Sequence, residues 1–273
     1  MRPQVQFVPP IVGQWELIVS IQRKASEPRP GAPRAAHVTS LREPRGFVTH
    51  PETWMGHDEL GRERPYQPTI TSFGEFINDR HRYYHECPTK GILIDVGIQG
   101  QLCREDALKL YEMTYYATGD ILEFGTNYGL STSILARAVR DAGKNSRIVT
   151  MELDERYVER ARRTLNGLDL SRYIEFMVGE ADASCQELVD TGRKFHFAFV
   201  DHSHTYDDVS KACRRLSQLL TPGSFCLFHD YNSRWEGTAD YGVYTAVAHA
   251  LDKNQFEFCG IYGCCGLFRR RDA

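Results

Sequence analysis

From residue 121 onward the chain alternates between two kinds of hydrophobic pattern. Short, mainly apolar runs lie at 121–124, 147–151, 173–178, 195–200 and 224–228, with two more at 256–261 and 264–269. Runs of this length read as strands buried on both faces. Between them lie segments whose apolar residues recur every three or four positions, at 131–141, 155–166, 183–190, 206–219 and 242–251. In 155–166 Val158, Ala161 and Leu165 share one helical face, and in 206–219 Val209, Ala212, Leu216 and Leu219 do. Upstream, 104–117 reads as a helix, 72–84 as an amphipathic helix, and 92–96 as a short strand or extended lead-in. Pro222 and Gly223 predict a turn before 224–228, and Gly263 predicts a turn between the last two strands. Strand–helix alternation implies a mainly parallel sheet with helices on both faces, to which the last two strands add an antiparallel edge.

The first of these strands opens into glycines, as G-D-I-L-E-F-G-T-N-Y-G at 119–129, with Ser131 or Thr132 placed to cap the following helix. A strand, a glycine turn and a helix start let the backbone approach a ligand closely. The next strand ends in Glu152, 27 residues after Gly125. An acid there can accept hydrogen bonds from both hydroxyls of a ribose. The chain lacks the G-x-G-x-x-G that seats a pyrophosphate, which argues against a nicotinamide oxidoreductase and for an adenosyl-type ligand.

Polar residues collect where the strands end. They are Glu123 with the loop 125–130, Glu152, Asp182, Asp201 with His202 and His204, and His229 with Asp230 and Asn232. In open α/β sheets ligands bind outside those ends. If the strands before D-H-S-H (201–204) and H-D-Y-N (229–232) are neighbours, Asp201, Asp230 and Asn232 form an oxygen-rich set suited to Mg²⁺. Histidine ligands among them favour zinc, iron or manganese instead. His204 or His229 is then the candidate general base. The plainer reading is that these groups cap helices and bond loop backbone. Trp235, Tyr231, Tyr241 and Tyr244 are placed either for a lid over an acceptor or for packing.

At 273 residues the chain accommodates one large domain, 89–273, preceded by an extension, 1–88. Residues 1–50 are rich in Pro and Arg, which suits an arm, a wrap onto a partner or a flap. The net charge of −3 argues against nonspecific nucleic-acid binding. No apolar stretch is long enough for a membrane span, and the N-terminus is a poor signal peptide. The eight cysteines have no metal-knuckle spacing and read as buried thiols of a reducing, cytoplasmic setting. Adjacent Cys264 and Cys265, if both in a strand, face opposite ways and make a poor joint ligand. Tyr83, Tyr84, Tyr115 and Tyr116, with the extension, suggest a homo-oligomer contact.

Five segments together resemble the class I S-adenosylmethionine-dependent methyltransferases. They are I-L-E-F-G-T-N-Y-G-L-S-T (121–132), V-T-M-E-L-D (149–154), F-V-D-H-S-H-T-Y-D-D-V (199–209), L-L-T-P-G-S-F-C-L-F-H-D-Y (219–231) and G-V-Y-T-A-V (242–247). Their order and spacing are most similar to the small-molecule O-methyltransferase branch that includes macrolide-sugar and other natural-product enzymes. The resemblance spans residues 91–270. It implies a Rossmann-like α/β fold, with a seven-stranded mostly parallel sheet whose last strand is antiparallel, and S-adenosylmethionine as methyl donor.

On this resemblance Gly125, Thr126 and Gly129 lie against the methionine part, with Glu123, Asn127, Ser131 and Asp201 also at the cofactor. Glu152 holds the ribose, while Asp182 and Ala183 lie near adenine. Metal-assisted relatives place a cation at the positions of Asp201 and Asp230. His202 replaces a glycine of the branch's fourth-strand motif, and His229–Asp230 stands where several relatives carry paired acids. A metal-free mechanism with His204 or His229 as base therefore stays open. So do nitrogen or carbon methylation, cyclisation or elimination of the same sulfonium, a protein or nucleic-acid acceptor, and a noncatalytic cofactor-binding subunit.

Overall fold

The computed structural model describes residues 66, 68–70, 75–233 and 235–272. The proline- and arginine-rich segment, and the start of the helix expected at 72–84, lie outside the described residues. The described part of that helix is α1, Asp79–Glu86, shorter than expected at its start. Asn78 explains why: its side chain accepts from the His81 N–H, which caps the helix there. A two-residue-per-strand hairpin, Thr89–Lys90 with Leu93–Ile94, leads to α2, Arg104–Tyr116.

Seven strands follow in one sheet: β1 Ile121–Phe124, β2 Ile148–Glu152, β3 Ile174–Val178, β4 Phe195–Val200, β5 Leu220–Phe228, β6 Phe256–Tyr262 and β7 Cys265–Arg270. Their spatial order is β3-β2-β1-β4-β5-β7-β6. The first five are parallel, and β7 is antiparallel to both β5 and β6. The final hairpin therefore does not simply add an antiparallel edge. Its last strand inserts next to β5, leaving β6 outermost.

Helices α3 Leu130–Asp141, α4 Glu155–Gly167, α5 Ala181–Asp190, α6 Tyr206–Leu219 and α7 Val243–Ala250 connect the strands. Alternation within each strand divides the core. Ile121, Ile148, Phe197 and Phe199 pack with α1 to α4, while Leu122, Phe124, Val149 and Val200 pack with α5 to α7. Each fully buried phenylalanine contributes about 1.5–3 kcal/mol relative to exposure. The sheet thus has enough apolar area on both faces to hold its polar strand ends rigid.

Two local expectations give way. Pro222 and Gly223 do not separate β5 from the preceding helix. They sit inside β5, where pairing with β4 jumps from Phe195–Leu220 to Phe197–Phe225. The excess residues bulge out, which keeps proline from needing a ladder hydrogen bond. Likewise α3 begins earlier than a Ser131 or Thr132 cap would set it. Gly129, in the left-handed conformation, is the cap residue, and the Thr132 hydroxyl instead donates to Glu123.

Candidate active site

The parallel strands bring the expected polar residues to one end of the sheet. The β1 loop turns back so closely that a Cβ on Gly125 would lie 2.2 Å from the Asp201 carbonyl oxygen. Its φ of +93° also suits glycine alone. This packing lets β1 and β4 open side by side onto a cavity of about 370 Å³, a volume suited to a small-molecule ligand. Gly125, Asn127, Glu152, Asp182, Asp201 and His202 are among its lining residues.

Glu152, the last residue of β2, is held from two sides. The Asn127 N–H donates to its Oε2 (2.9 Å) and the Asp154 N–H to its Oε1 (3.2 Å). Asn127 itself has a φ of +46°, uncommon for a residue with a side chain, so the loop is bent to make that contact. Across the cavity the Arg215 Nε donates to Asp182 Oδ1 at 2.7 Å, and this partner holds the Asp182 carboxyl below its usual range.

The remaining expected cofactor residues, Glu123, Thr126, Gly129, Ser131 and Ala183, are not among the lining residues. Glu123 is wholly buried in β1. Thr132 Oγ1 donates to its Oε2 at 2.6 Å, and its Oε1 has no hydrogen-bond partner. Thr126 bonds Thr150 through its hydroxyl (2.6 Å), which ties the glycine loop to β2. Gly129 and Ser131 belong to the buried start of α3, and Ala183 is exposed on α5. These residues shape or flank the cavity.

Neighbouring β4 and β5 satisfy the condition for a second cluster. Val200 pairs with Phe228, and the His229 N–H donates to the Val200 carbonyl. Asp201 and His229–Asp230 therefore leave their strands together. Donor atoms of Asp201, His204, His229 and Asp230 lie within 4.8 Å of one another. His204 Nε2 is 3.0 Å from Asp230 Oδ2 and 3.6 Å from Asp201 Oδ1. His229 Nδ1 is 3.1 Å from Asp201 Oδ1 and 3.2 Å from Asp230 Oδ2. Asp230 has a φ of +53°, a strained conformation for an aspartate that the strand end must enforce.

Electrostatics couple the four groups. Burial pushes the His204 imidazole down, but Asp201 and Asp230 outweigh it and bring it up to about 9. Burial likewise opposes protonation of His229, yet Asp201 and its neighbours raise it well above the histidine range. The two carboxyls are held low by the same histidines against the upward push of burial. His202 differs: burial takes it down to about 4, so it lines the cavity as a neutral ring.

His204 Nε2 is buried and close to both carboxylates, but lacks hydrogen-bond geometry to either. Protonated, the ring is the cationic neighbour of both carboxylates; deprotonated, its Nε2 sits beside them as a candidate cation ligand. Asn232 is also buried near this strand end, with its N–H donating to the Cys264 carbonyl and its Nδ2 without a partner. Of the four aromatics read as either lid or packing, Tyr241 stacks on His204, with centroids 4.9 Å apart and planes within 6°. Tyr231 is core instead, packed among Tyr244, Phe258 and Phe268. Among the tyrosines offered as an oligomer contact, Tyr84 is fully buried beside Tyr111.

The strand order, with an antiparallel β7 between β5 and β6, decides the architecture. The fold is that of the class I methyltransferases. Residues 122–231 match the family model of a methyltransferase domain. An O-methyltransferase from Bacillus cereus, solved in complex with S-adenosylhomocysteine, superposes with a TM-score of 0.52 at 17% identity, covering 74% of this chain and 94% of that one. A catechol O-methyltransferase from Niastella koreensis is 32% identical over 83 residues, which is 30% of this chain. The matched stretch is 36% of that curated relative's length.

Sequence reasoning did not anticipate one participant. Asp106, on α2, lies 3.6 Å from His229 Nε2, on the opposite edge of the ring from Asp201. Its separation from β5 in sequence hides the contact, and an acid in a helix's first turn reads as ordinary capping.

Proposed function

We propose that this protein transfers a methyl group from S-adenosylmethionine to a hydroxyl oxygen of a small molecule, with a divalent cation at the ends of β4 and β5. One observation carries the reading: Asp201 belongs both to the cavity with the ribose-type acid and to the two-Asp, two-His cluster. The methyl donor and the acceptor oxygen would meet there. The methyltransferase-domain match and the named activities of the similar proteins support the same reaction class.

Glu152, fixed by two backbone N–H groups, accepts the ribose hydroxyls. Asp182 keeps its Oδ2 for the adenine amino group, beside Ala183. Gly125, Thr126, Asn127 and Gly129 pass the methionine portion, while Glu123 and Ser131 support that loop from beneath. Asp201, His204 and Asp230 hold the cation, and Asn232 orients the turn that carries Asp230. A mixed imidazole–carboxylate set favours manganese, iron or zinc over magnesium. When bound, such a cation lowers the pKa of an acceptor hydroxyl. His229 Nδ1–H steadies both carboxylates, and the acidified hydroxyl gives up its proton to solvent as the oxygen meets the sulfonium methyl. Tyr241, stacked on His204, limits the ligand's rotation and closes that side to water.

The test is an assay with methyl-labelled S-adenosylmethionine and a panel of catechols, phenols and sugars, with manganese or with chelator. The expected outcome is label in an O-methyl ether, lost on chelation and reduced by roughly two orders of magnitude in Asp230→Asn. Label on nitrogen or carbon, or turnover indifferent to chelator, would overturn the cation-assisted O-methyl reading.

A further inference from the structure

The far edge of His229 faces a second group of donors. Asp106, the third residue of α2, is 1% exposed, and its carboxylate accepts from the Cys103 N–H at 2.8 Å and the Cys264 N–H at 3.1 Å. Cys264 Sγ lies 3.2 Å from His229 Nε2 and 3.7 Å from the Asp106 oxygens. Cys265 Sγ lies 3.3 Å from Asp106 Oδ1, and His229 Nε2 lies 3.6 Å from Asp106 Oδ2. Donor atoms of all four residues fall within 4.8 Å of one another, and all four residues are buried.

Adjacent cysteines face apart if both sit in a strand. These two do not, because Gly263 and Cys264 form the turn and only Cys265 belongs to β7. Gly263 has a φ of +58°, and a Cβ there would lie 2.3 Å from Asp106 Oδ1. The turn can close onto the first turn of α2 only because that Cβ is missing.

We propose that Asp106, His229 through Nε2, Cys264 and Cys265 bind a structural zinc ion. Tetrahedral zinc bonded at about 2.0–2.3 Å to such donors has donor–donor edges of roughly 3.3–3.8 Å. The observed separations of 3.2, 3.3, 3.6 and 3.7 Å already lie near that range. Two thiolates, an imidazole and a carboxylate also make a softer set than the Asp201 cluster, so the two places select different metals. Binding releases both thiol protons and the Nε2 proton of His229 to solvent, and the buried setting means the ion enters as the chain folds. The ion ties the start of α2 and the β6–β7 turn to the end of β5. It also engages Nε2, which fixes the remaining imidazole hydrogen on Nδ1 toward Asp201 and Asp230 and makes His229 an orienting group.

The experiment uses the full chain produced in zinc-supplemented medium and dialysed against chelator to remove loosely held metal. Elemental analysis is expected to give about one zinc per chain, and zinc X-ray absorption two sulfur neighbours at about 2.3 Å. Cobalt-substituted protein should show thiolate-to-cobalt charge-transfer absorption that weakens in Cys264→Ser and in Cys265→Ser. The same zinc should persist in His204→Gln, which separates it from the strand-end cation. Wild-type protein that retains no zinc, or zinc with only nitrogen and oxygen neighbours, overturns the proposal whether or not the variants fold.

Discussion

Glu123 occupies the middle of β1, fully buried, and burial pushes its carboxyl up to about 7 against the lowering effect of nearby hydroxyls. An acid whose folded pKa lies above its unfolded value of 4.5 favours the fold while protonated. That contribution is present below about 4.5 and is lost as pH rises to about 7. The loss is on the order of 3 kcal/mol. His81 and His202, both lowered to about 4 by burial, slope the other way over part of this range, so the comparison must be made against a variant. Glu123→Gln keeps an acceptor for Thr132 and removes the titration. Urea denaturation from pH 4.5 to 8 should show wild type losing stability relative to Glu123→Gln through that window. Parallel pH curves for the two proteins would refute the assignment.

At the scale of elements, α2 does more than cover the sheet. Lys109 and Glu112 form an ion pair with no solvent exposure on either side chain. Glu112 also accepts from the Thr69 and Ile70 N–H groups at 2.7 and 2.8 Å, while the Lys109 ammonium lies 3.7 Å from the Tyr262 ring centroid. The helix thereby joins Thr69 and Ile70 to β6. Removing one partner of a buried pair leaves an uncompensated charge, so Glu112→Ala should cost about 3–5 kcal/mol. Lys109→Met added to Glu112→Ala should recover much of that loss in denaturant titrations; no recovery would mean the pair is not the source.

These contacts mark the limit of what the pattern alone could disclose. The apolar runs located all seven strands, and the spacing of Val209, Ala212, Leu216 and Leu219 located α6, because periodicity is a local signal. Strand-end placement also brought Glu152, Asp182, Asp201, His204 and Asp230 forward as site residues before any coordinates. The early start of α3 and the bulge holding Pro222 were missed because Glu123 takes the Thr132 hydroxyl and β4 sets the pairing of β5, both from elsewhere in the chain. Asp106 and Cys264 were invisible as partners for the same reason: their contact spans 158 residues and depends on which strand the last hairpin joins.

Across the whole molecule, the parallel order β2-β1-β4-β5 sets a cavity and a charged cluster side by side. Asp201 is their shared wall. Arg160 and Arg162 lie over Tyr128 and Phe176, and Arg137 and Arg140 bond Tyr84 and Asp141. No helix among the described residues is long and apolar enough to cross a membrane. The central claim is that this end of the sheet holds an adenosyl cofactor by its ribose. Calorimetric titration with S-adenosylhomocysteine, for wild type and Glu152→Ala, tests it most directly. The account predicts micromolar binding by wild type, about −8 kcal/mol, and its loss in the variant. Wild-type protein that binds nothing, or a Glu152→Ala variant that binds equally well, would contradict it.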